Sequence, residues 1–270
     1  MTLLRRRKFS VTLGGLVMAV LVAVGFSFFL PGQGVAAPPP QACGDGLPSH
    51  LELHSALSQA RKEDNGGFNL DMWATIVNRD GVVCAVTFTG NDRGDQWPGS
   101  RVIAAQKANT ANAFSLPGLA LSTANLFSAV QPGGSLYGLQ HSNPVDVSVA
   151  YGGDAAFYGT QADPMAGKKI GGVNVFGGGL ALYDLDGVLL GAIGVSGDSS
   201  CADHHIAWKT RDILALDNIP GGVSTTGDDN IVYDIADNRS SSGWGHPGCV
   251  IAAIEIGEAL PNTHPIGPNP

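Results

Sequence analysis

Charge is scarce in this chain. Only 14% of its 270 residues are Asp, Glu, Lys or Arg, and the basic side is the poorer one, with 15 Lys and Arg against 23 Asp and Glu. A net charge of −8 does not suit a partner such as nucleic acid or an anionic lipid surface. Long hydrophobic runs are nearly absent as well. The one example, Phe9 to Leu30, contains no charged residue, and no second run of that length follows, so the remainder reads as soluble. Low charge does not mean disorder here. The hydrophobic share of 44% is ordinary, so the 38 glycines point to tight turns and closely packed backbone.

The first 36 residues have the three parts of a signal sequence. Arg5, Arg6, Arg7 and Lys8 form a basic head, the apolar run follows, and Pro31-Gly32 leads into the small residues Gly34 to Ala37. Arg6-Arg7-Lys8-Phe9 also fits the twin-arginine pattern R-R-x-F, an address for export of folded proteins. Cleavage is placed after Ala36, because a cut after Ala37 would leave Pro38 beside the scissile bond. The alternative is an uncleaved anchor, since roughly 20 apolar residues span a bilayer. Loss of residues 1–36 removes four basic residues and no acidic one, which takes the charge to −12 and leaves a domain of about 230 residues, periplasmic or secreted.

Residues 37–47 read as a stiff proline-rich spacer. A helix is expected from His50 to Lys62, stopped by Asn65-Gly66-Gly67. "MWATIVNRDGVVCAVTF" reads as a hairpin turning at Asp80-Gly81, and "LALYDLDGVLLGAIGV" as a second turning at Asp186-Gly187. With a strand at Val173–Phe176 the count is about five. "SRVIAAQKANTANAF" reads as a helix with small residues Ala104, Ala108 and Ala111 on one face, and Leu119 to Val130 as a further helical stretch. Residues 131–169 are irregular and long, a feature usual in functional or mobile segments. A last helix runs from about Cys201 to Leu216, with Ser200 and Asp203 resembling a capping box. The tail from Asp217 is turn-rich, with one strand-like piece at Ile231–Ile235. The layout is α+β, a mostly antiparallel five-stranded sheet flanked by helices.

The densest chemistry lies in "GAIGVSGDSSCADHH", residues 191–205. A serine elbow would need G-x-S-x-G, and Gly194-Val195-Ser196-Gly197-Asp198 lacks the second glycine. A dinucleotide fingerprint would need a parallel βαβ unit, whereas these glycines sit on a hairpin strand. A strand end, glycine turns and a helix N-terminus remain, which offers N–H donors to an anion or simply close packing. Cys201-x-x-His204 and His246-x-x-Cys249 have spacing compatible with zinc. An export signal ahead of four cysteines favours disulfides instead, paired as Cys201–Cys249 and Cys43–Cys84 among three connectivities. On a helical wheel Ile206 and Ile213 mark the buried side of the last helix. His204, Trp208 and Arg211 fall opposite, as solvated surface, an oligomer contact or the wall of a flat-ligand site, with an exposed Trp favouring the latter two.

"AAQKANTANAF" at 104–114, "GGVNVF", "DGVLLGAIGVSG" and "CADHHIA" together resemble the signatures of the GlcG/HbpS-type haem-binding family over about residues 48–216. Asn174 stands where that family usually has Pro, and the segment 115–169 and the tail 217–270 are longer than in compact members. The resemblance implies a profilin-like α-β-α fold, assembly into dimers or larger rings, and haem binding in some members. Composition and spacing alone do not indicate haem.

On that resemblance, haem is expected between helix 100–114 and the start of helix 201–216. Ile103, Phe114 and the second hairpin would line an apolar slot. Lys107, the amides around Ser199 to Cys201, and Thr110 would meet the propionates, and Trp208 would join the wall. The iron ligand is sought among His204, His205, His141 and His246, since imidazole is the commonest axial donor. The alternatives are another small ligand, a corrinoid or an organic acid, or an enzyme using the His/Asp cluster. No convergent base and nucleophile can be assembled from the sequence, so the chain reads as a binding protein without turnover.

Overall fold

Two hairpins build the main sheet. The computed structural model describes residues 43–44 and 46–267. All of these lie within the compact unit Ala37–Pro270. The expected signal sequence and most of the expected spacer lie outside the described residues. Hairpin one pairs β1 (Trp73–Asn78) with β2 (Val83–Phe88), and hairpin two pairs β3 (Gly179–Tyr183) with β4 (Leu189–Ser196). Both turns use a left-handed glycine, Gly81 at φ +74° and Gly187 at φ +75°, a conformation that a Cβ would strain. The hairpins join through β1 and β4, giving the antiparallel order β2-β1-β4-β3.

The α+β expectation holds, but the main sheet has four strands rather than five. Val173–Phe176 pairs with no strand. Its backbone is tied to a helix instead: the Asn174 N–H donates to the Thr110 hydroxyl at 3.0 Å, and the Gly172 carbonyl accepts from the Asn109 amide at 2.8 Å. Left-handed glycines on both sides, Gly171, Gly172 and Gly178, prevent a continuous extended run.

Side chains alternate across the sheet. Ala74, Ile76, Leu180, Leu182, Ile193 and Val195 share a core with α1 (His50–Lys62) and α5 (Ser200–Ile213). Trp73, Val77, Val83, Val86 and Ala192 face α2 (Ser100–Phe114) on the other side. α1 starts at a true capping box, in which the Ser49 hydroxyl accepts from Glu52 N and the Glu52 carboxylate from Ser49 N. The expected Ser200/Asp203 box does not form. Ser199 caps α5, accepting from Ala202 N, and Asp203 is engaged elsewhere.

Leu119 to Val130 forms two 3-10 turns, Ala124–Leu126 and Ser128–Val130, in place of one helix. Residues 131–169 carry only the short helices α3 (Leu139–Ser142) and α4 (Val147–Ala150) and a 3-10 turn, Ala155–Phe157. The tail differs most from expectation. Of the strand-like Ile231–Ile235, only Ile235 pairs, in β5 (Ile235–Ala236) against β6 (Arg239–Ser240). The chain then forms a helix, α6 (Ile251–Thr263), which packs on α5. The disulfides pair as expected, Cys43 with Cys84 and Cys201 with Cys249. Among the described residues no helix is long and apolar enough to cross a membrane.

Candidate functional site

The signature helix α2 lies unusually close to the sheet because glycines remove the side chains between them. Gly179 and Gly194 face each other across β3 and β4. A Cβ on Gly194 would run into the Ala104 carbonyl, and one on Gly179 would approach the Lys107 carbonyl at 2.6 Å. This approach lets the Lys107 side chain reach past the strand ends to the first turn of α5. Its ammonium donates to the Val195 carbonyl at 3.0 Å and to the Asp203 carboxylate at 2.6 Å. Asp203 also accepts from the N–H groups of Gly197 and Asp198. Burial pushes Asp203 up to about 6, against the pull of Lys107, and pushes Lys107 down, against the pull of Asp203. The two residues form a buried ion pair that fastens α2 to α5 through the glycine turn.

α5 is covered on both sides. Its sheet side packs into the core, and its other side lies under the tail. Arg211 and Asp229 form a two-pronged pair at 2.7 and 2.8 Å, both fully buried. Trp208 is 1% exposed and donates its indole N–H to the His264 carbonyl. The expectation of an exposed His204/Trp208/Arg211 face is therefore corrected, as is that of Ile213 as a buried anchor: Ile213 is 38% exposed. The wheel identified a second face, and the tail buries it.

The histidines follow the same rule. His204 Nε2 accepts from the Ile231 N–H at 3.1 Å, while its Nδ1 is buried with no partner. His205 Nδ1 donates to the Asn65 carbonyl at 2.9 Å, and its Nε2 faces the Tyr233 hydroxyl. His246 Nδ1 donates to the Pro247 carbonyl, and its Nε2 accepts from the Gly177 N–H. Burial holds His204 well below the ordinary imidazole value and lowers His205 and His246 to about 4, so all three are neutral. With Cys201 and Cys249 in a disulfide, the Cys/His zinc arrangement does not form. Among the described residues no group of three or more His, Cys, Asp or Glu is placed to hold a metal.

The slot expected between α2 and the start of α5 is thus filled by the chain itself. Lys107 and Asp203 occupy its floor. The Thr110 hydroxyl donates to the Gln106 carbonyl and accepts from Asn174. Phe114 is half-buried against Leu121, Leu126, Val130, Val173 and Val175. The residues present there do not fit a haem plate. His141, on the short α3, is exposed and stands apart from the other three candidate ligands.

Two features escaped the sequence reading. One is a polar cavity of about 290 Å³ at the loop after α1, lined by Arg61, Asn65, Asn69 and Asp198 among others. It suits a small polar molecule and not an apolar plate. The other is a pair of histidines one turn apart on α1, His50 and His54, with parallel rings (3° between planes) and centroids 6.5 Å apart. His50 Nε2 lies 2.9 Å from the Gly159 carbonyl, and His54 Nδ1 lies 3.1 Å from the Thr87 hydroxyl. His54 is exposed and His50 half-buried. Their i, i+4 spacing was legible, although it lay inside a helix read only for its apolar face.

Comparison with known proteins gives a consistent family. The profile of the family described as haem degrading protein HbpS-like matches residues 51–211, from α1 through most of α5. No curated protein matches the chain. Among solved structures, the chain is similar to a PduOC:heme complex at 25% identity and a TM-score of 0.43, over 62% of this chain and 94% of that one. Klebsiella pneumoniae protein ORFY aligns at 23% identity and a TM-score of 0.41, over 61% and 86% of the two chains. A double mutant of Streptomyces reticuli HbpS aligns at 18% and 0.37, over 66% and 98%.

Proposed function

This chain belongs to the HbpS-like family of haem-degrading proteins, and on that premise we propose that it is an exported haem-binding protein without turnover of its own. The family match across α1 to α5 is the observation that carries the reading. The α2–α5 slot is closed, so binding there is replaced by binding at the surface. An axial ligand needs an imidazole nitrogen that haem can reach. His54 and His141 meet that condition among the histidines described, and His54 is the better choice. Its Nδ1 is held by Thr87, which leaves Nε2 free on the exposed side of α1. Leu51, between His50 and His54, is 65% exposed, and Phe157, two residues before Gly159, is 50% exposed. Both add apolar surface for the plate. Haem, when bound, supplies an iron whose potential is set by its axial ligand and surroundings. This chain supplies the imidazole, its orientation through Thr87, and the rigid frame behind it.

Export fits the two disulfides. Assembly into a dimer or larger ring is part of the same reading, but Trp208 and Arg211 cannot supply the contact, because both are buried. A second reading, binding of a small organic acid, rests on the polar cavity beside Asn65.

Hemin titration followed at the Soret band tests the proposal. A saturable shift in the wild type, reduced in His54→Ala and retained in His141→Ala, is the expected result. No saturable change in the wild type overturns haem binding. An unchanged titration in His54→Ala overturns the ligand.

A further inference from the structure

We infer that the polar cavity at the loop after α1, together with the exposed aromatic pair Phe68 and Trp97, binds one ring of a neutral sugar, whether or not haem binds. A sugar ring has two kinds of surface. Its hydroxyls both donate and accept hydrogen bonds, and its C–H faces are apolar. A site for it needs polar groups of both kinds beside an open aromatic ring. The cavity supplies the polar groups. The Asp198 carboxylate, 6% exposed, lies in its wall. Its Oδ1 accepts from the N–H groups of Phe68 and Ser199, and its Oδ2 from that of Leu70 alone, which leaves Oδ2 a lone pair for a hydroxyl. Lys62, exposed in the same wall, offers donors. The volume, about 290 Å³, is at the small end of ligand clefts and takes one ring rather than a chain of them.

The aromatic pair supplies the apolar face. Phe68 stands between Gly67 and Asn69, both in the cavity wall, and is 71% exposed. Trp97, on the loop between β2 and α2, is 52% exposed and meets Phe68 edge to face, with centroids 6.3 Å apart and 71° between the planes. Two large rings left open side by side mark a contact surface rather than a core. Both loops are held from behind. Arg61 donates to the Asn69 side-chain oxygen at 2.8 Å and also to the Asn69 carbonyl, which fixes Asn69 in the left-handed region at φ +61°. A Cβ on Gly67 would run into Asp198 and Ala202, so this loop lies directly on the start of α5. Thr89 donates to Asp71 at 2.7 Å and so links the Trp97 loop to the Phe68 loop. Loops fixed in this way lose little freedom on binding. A carboxylic acid fits the cavity less well than a neutral ring. Arg61 is already committed to Asn69 and Asp71, and Asp198 places a buried carboxylate in the wall.

The test is saturation-transfer NMR titration of the haem-free chain with glucose, galactose, mannose and N-acetylglucosamine, and with acetate and succinate as acid probes. The expected result is saturable binding of at least one sugar, with transfer to its ring protons, and no binding of either acid. At least a tenfold loss of affinity is expected in Trp97→Ala and in Phe68→Ala, and none in Tyr137→Ala, an exposed ring on the segment 131–169. All three side chains are exposed, so their replacement leaves the fold intact, which an unchanged melting curve checks. No binding of any sugar overturns the inference, and binding of an acid alone overturns it in favour of the organic-acid reading. Sugar affinity equal to wild type in both Trp97→Ala and Phe68→Ala overturns the site. Haem is absent throughout, so failure of the sugar site and failure of the haem reading are separate results.

Discussion

The histidines of α1 and those of α5 and the tail are the same chemical group in opposite circumstances. His50 and His54 lie on a helix whose outer face is open, and each keeps a nitrogen without a protein partner. His204, His205 and His246 lie between α5 and the tail and are at most 2% exposed. The difference does not arise in the helices themselves. Both pack one side on the same sheet face, and only α5 is covered on the other. A histidine near a family signature is therefore open to a ligand only where no later segment of the chain lies over it.

The strongest way to break this contrast is to loosen the cover. Asp229→Ala leaves the fully buried Arg211 unpaired and is expected to cost about 3–5 kcal/mol, read by urea denaturation. Arg211→Met combined with Asp229→Leu should recover most of that loss, because two apolar side chains need no partner. An Asp229→Ala cost below about 1 kcal/mol would mean that the tail does not rely on the pair.

Next in size is the disulfide that ties the tail to the first turn of α5. Cys249→Ser opens a link across 48 residues and is expected to cost about 2–4 kcal/mol. Hydrogen exchange should quicken in α6 and leave α1 slow. Equal acceleration in both would show that the tail and the domain open as one unit.

Acid probes the contrast without mutation. The three buried histidines have folded values below the unfolded 6.5, so the unfolded chain takes up protons first and stability falls as pH drops below about 6.5. Asp203 and Asp217 are each raised by burial to about 6, so the folded chain protonates first and returns stability between about pH 6 and 4. Three groups against two leave a net loss of stability in that window. Denaturation at pH 7.5, 6 and 4.5 measures it, and a flat profile would mean that the buried imidazoles are not neutral.

The smallest stability effect belongs to the open side. His54→Ala should change stability by no more than about 0.5 kcal/mol, since an exposed ring on a helix surface contributes little. A larger loss in the same denaturation assay would make His54 a structural residue, and the distinction between the two histidine sets would disappear.

Local features were readable at once. The ends of α1, the body of α2, the two Asp-Gly turns and the oxidised state of the four cysteines follow from capping, periodicity, turn chemistry and compartment, and the disulfides pair in the connectivity chosen among three. The fifth strand failed because Val173–Phe176 has strand composition but finds its partners on α2, at Thr110 and Asn109. α6 was missed because "IAAIEIGEAL" follows a turn-rich stretch and has no capping residue, its N-cap being Val250. Lys107, expected beside the propionates, is ion-paired with Asp203. Its partner, Asp203, is 96 residues away, and no local pattern reports that distance.

By itself, then, the sequence determined the two hairpins and their turns, the helices α1, α2 and α5, the family signatures and the redox chemistry of the cysteines. Each of these depends on neighbours within a turn or two, or on the compartment. Only the tertiary structure decided which groups are available. It assigned Lys107 to Asp203, Arg211 to Asp229 and three histidines to the interior, and it left His50 and His54 at the surface. Availability depends on what packs over a side chain, and what packs over these histidines comes from segments remote in the chain, brought there by burial of apolar surface.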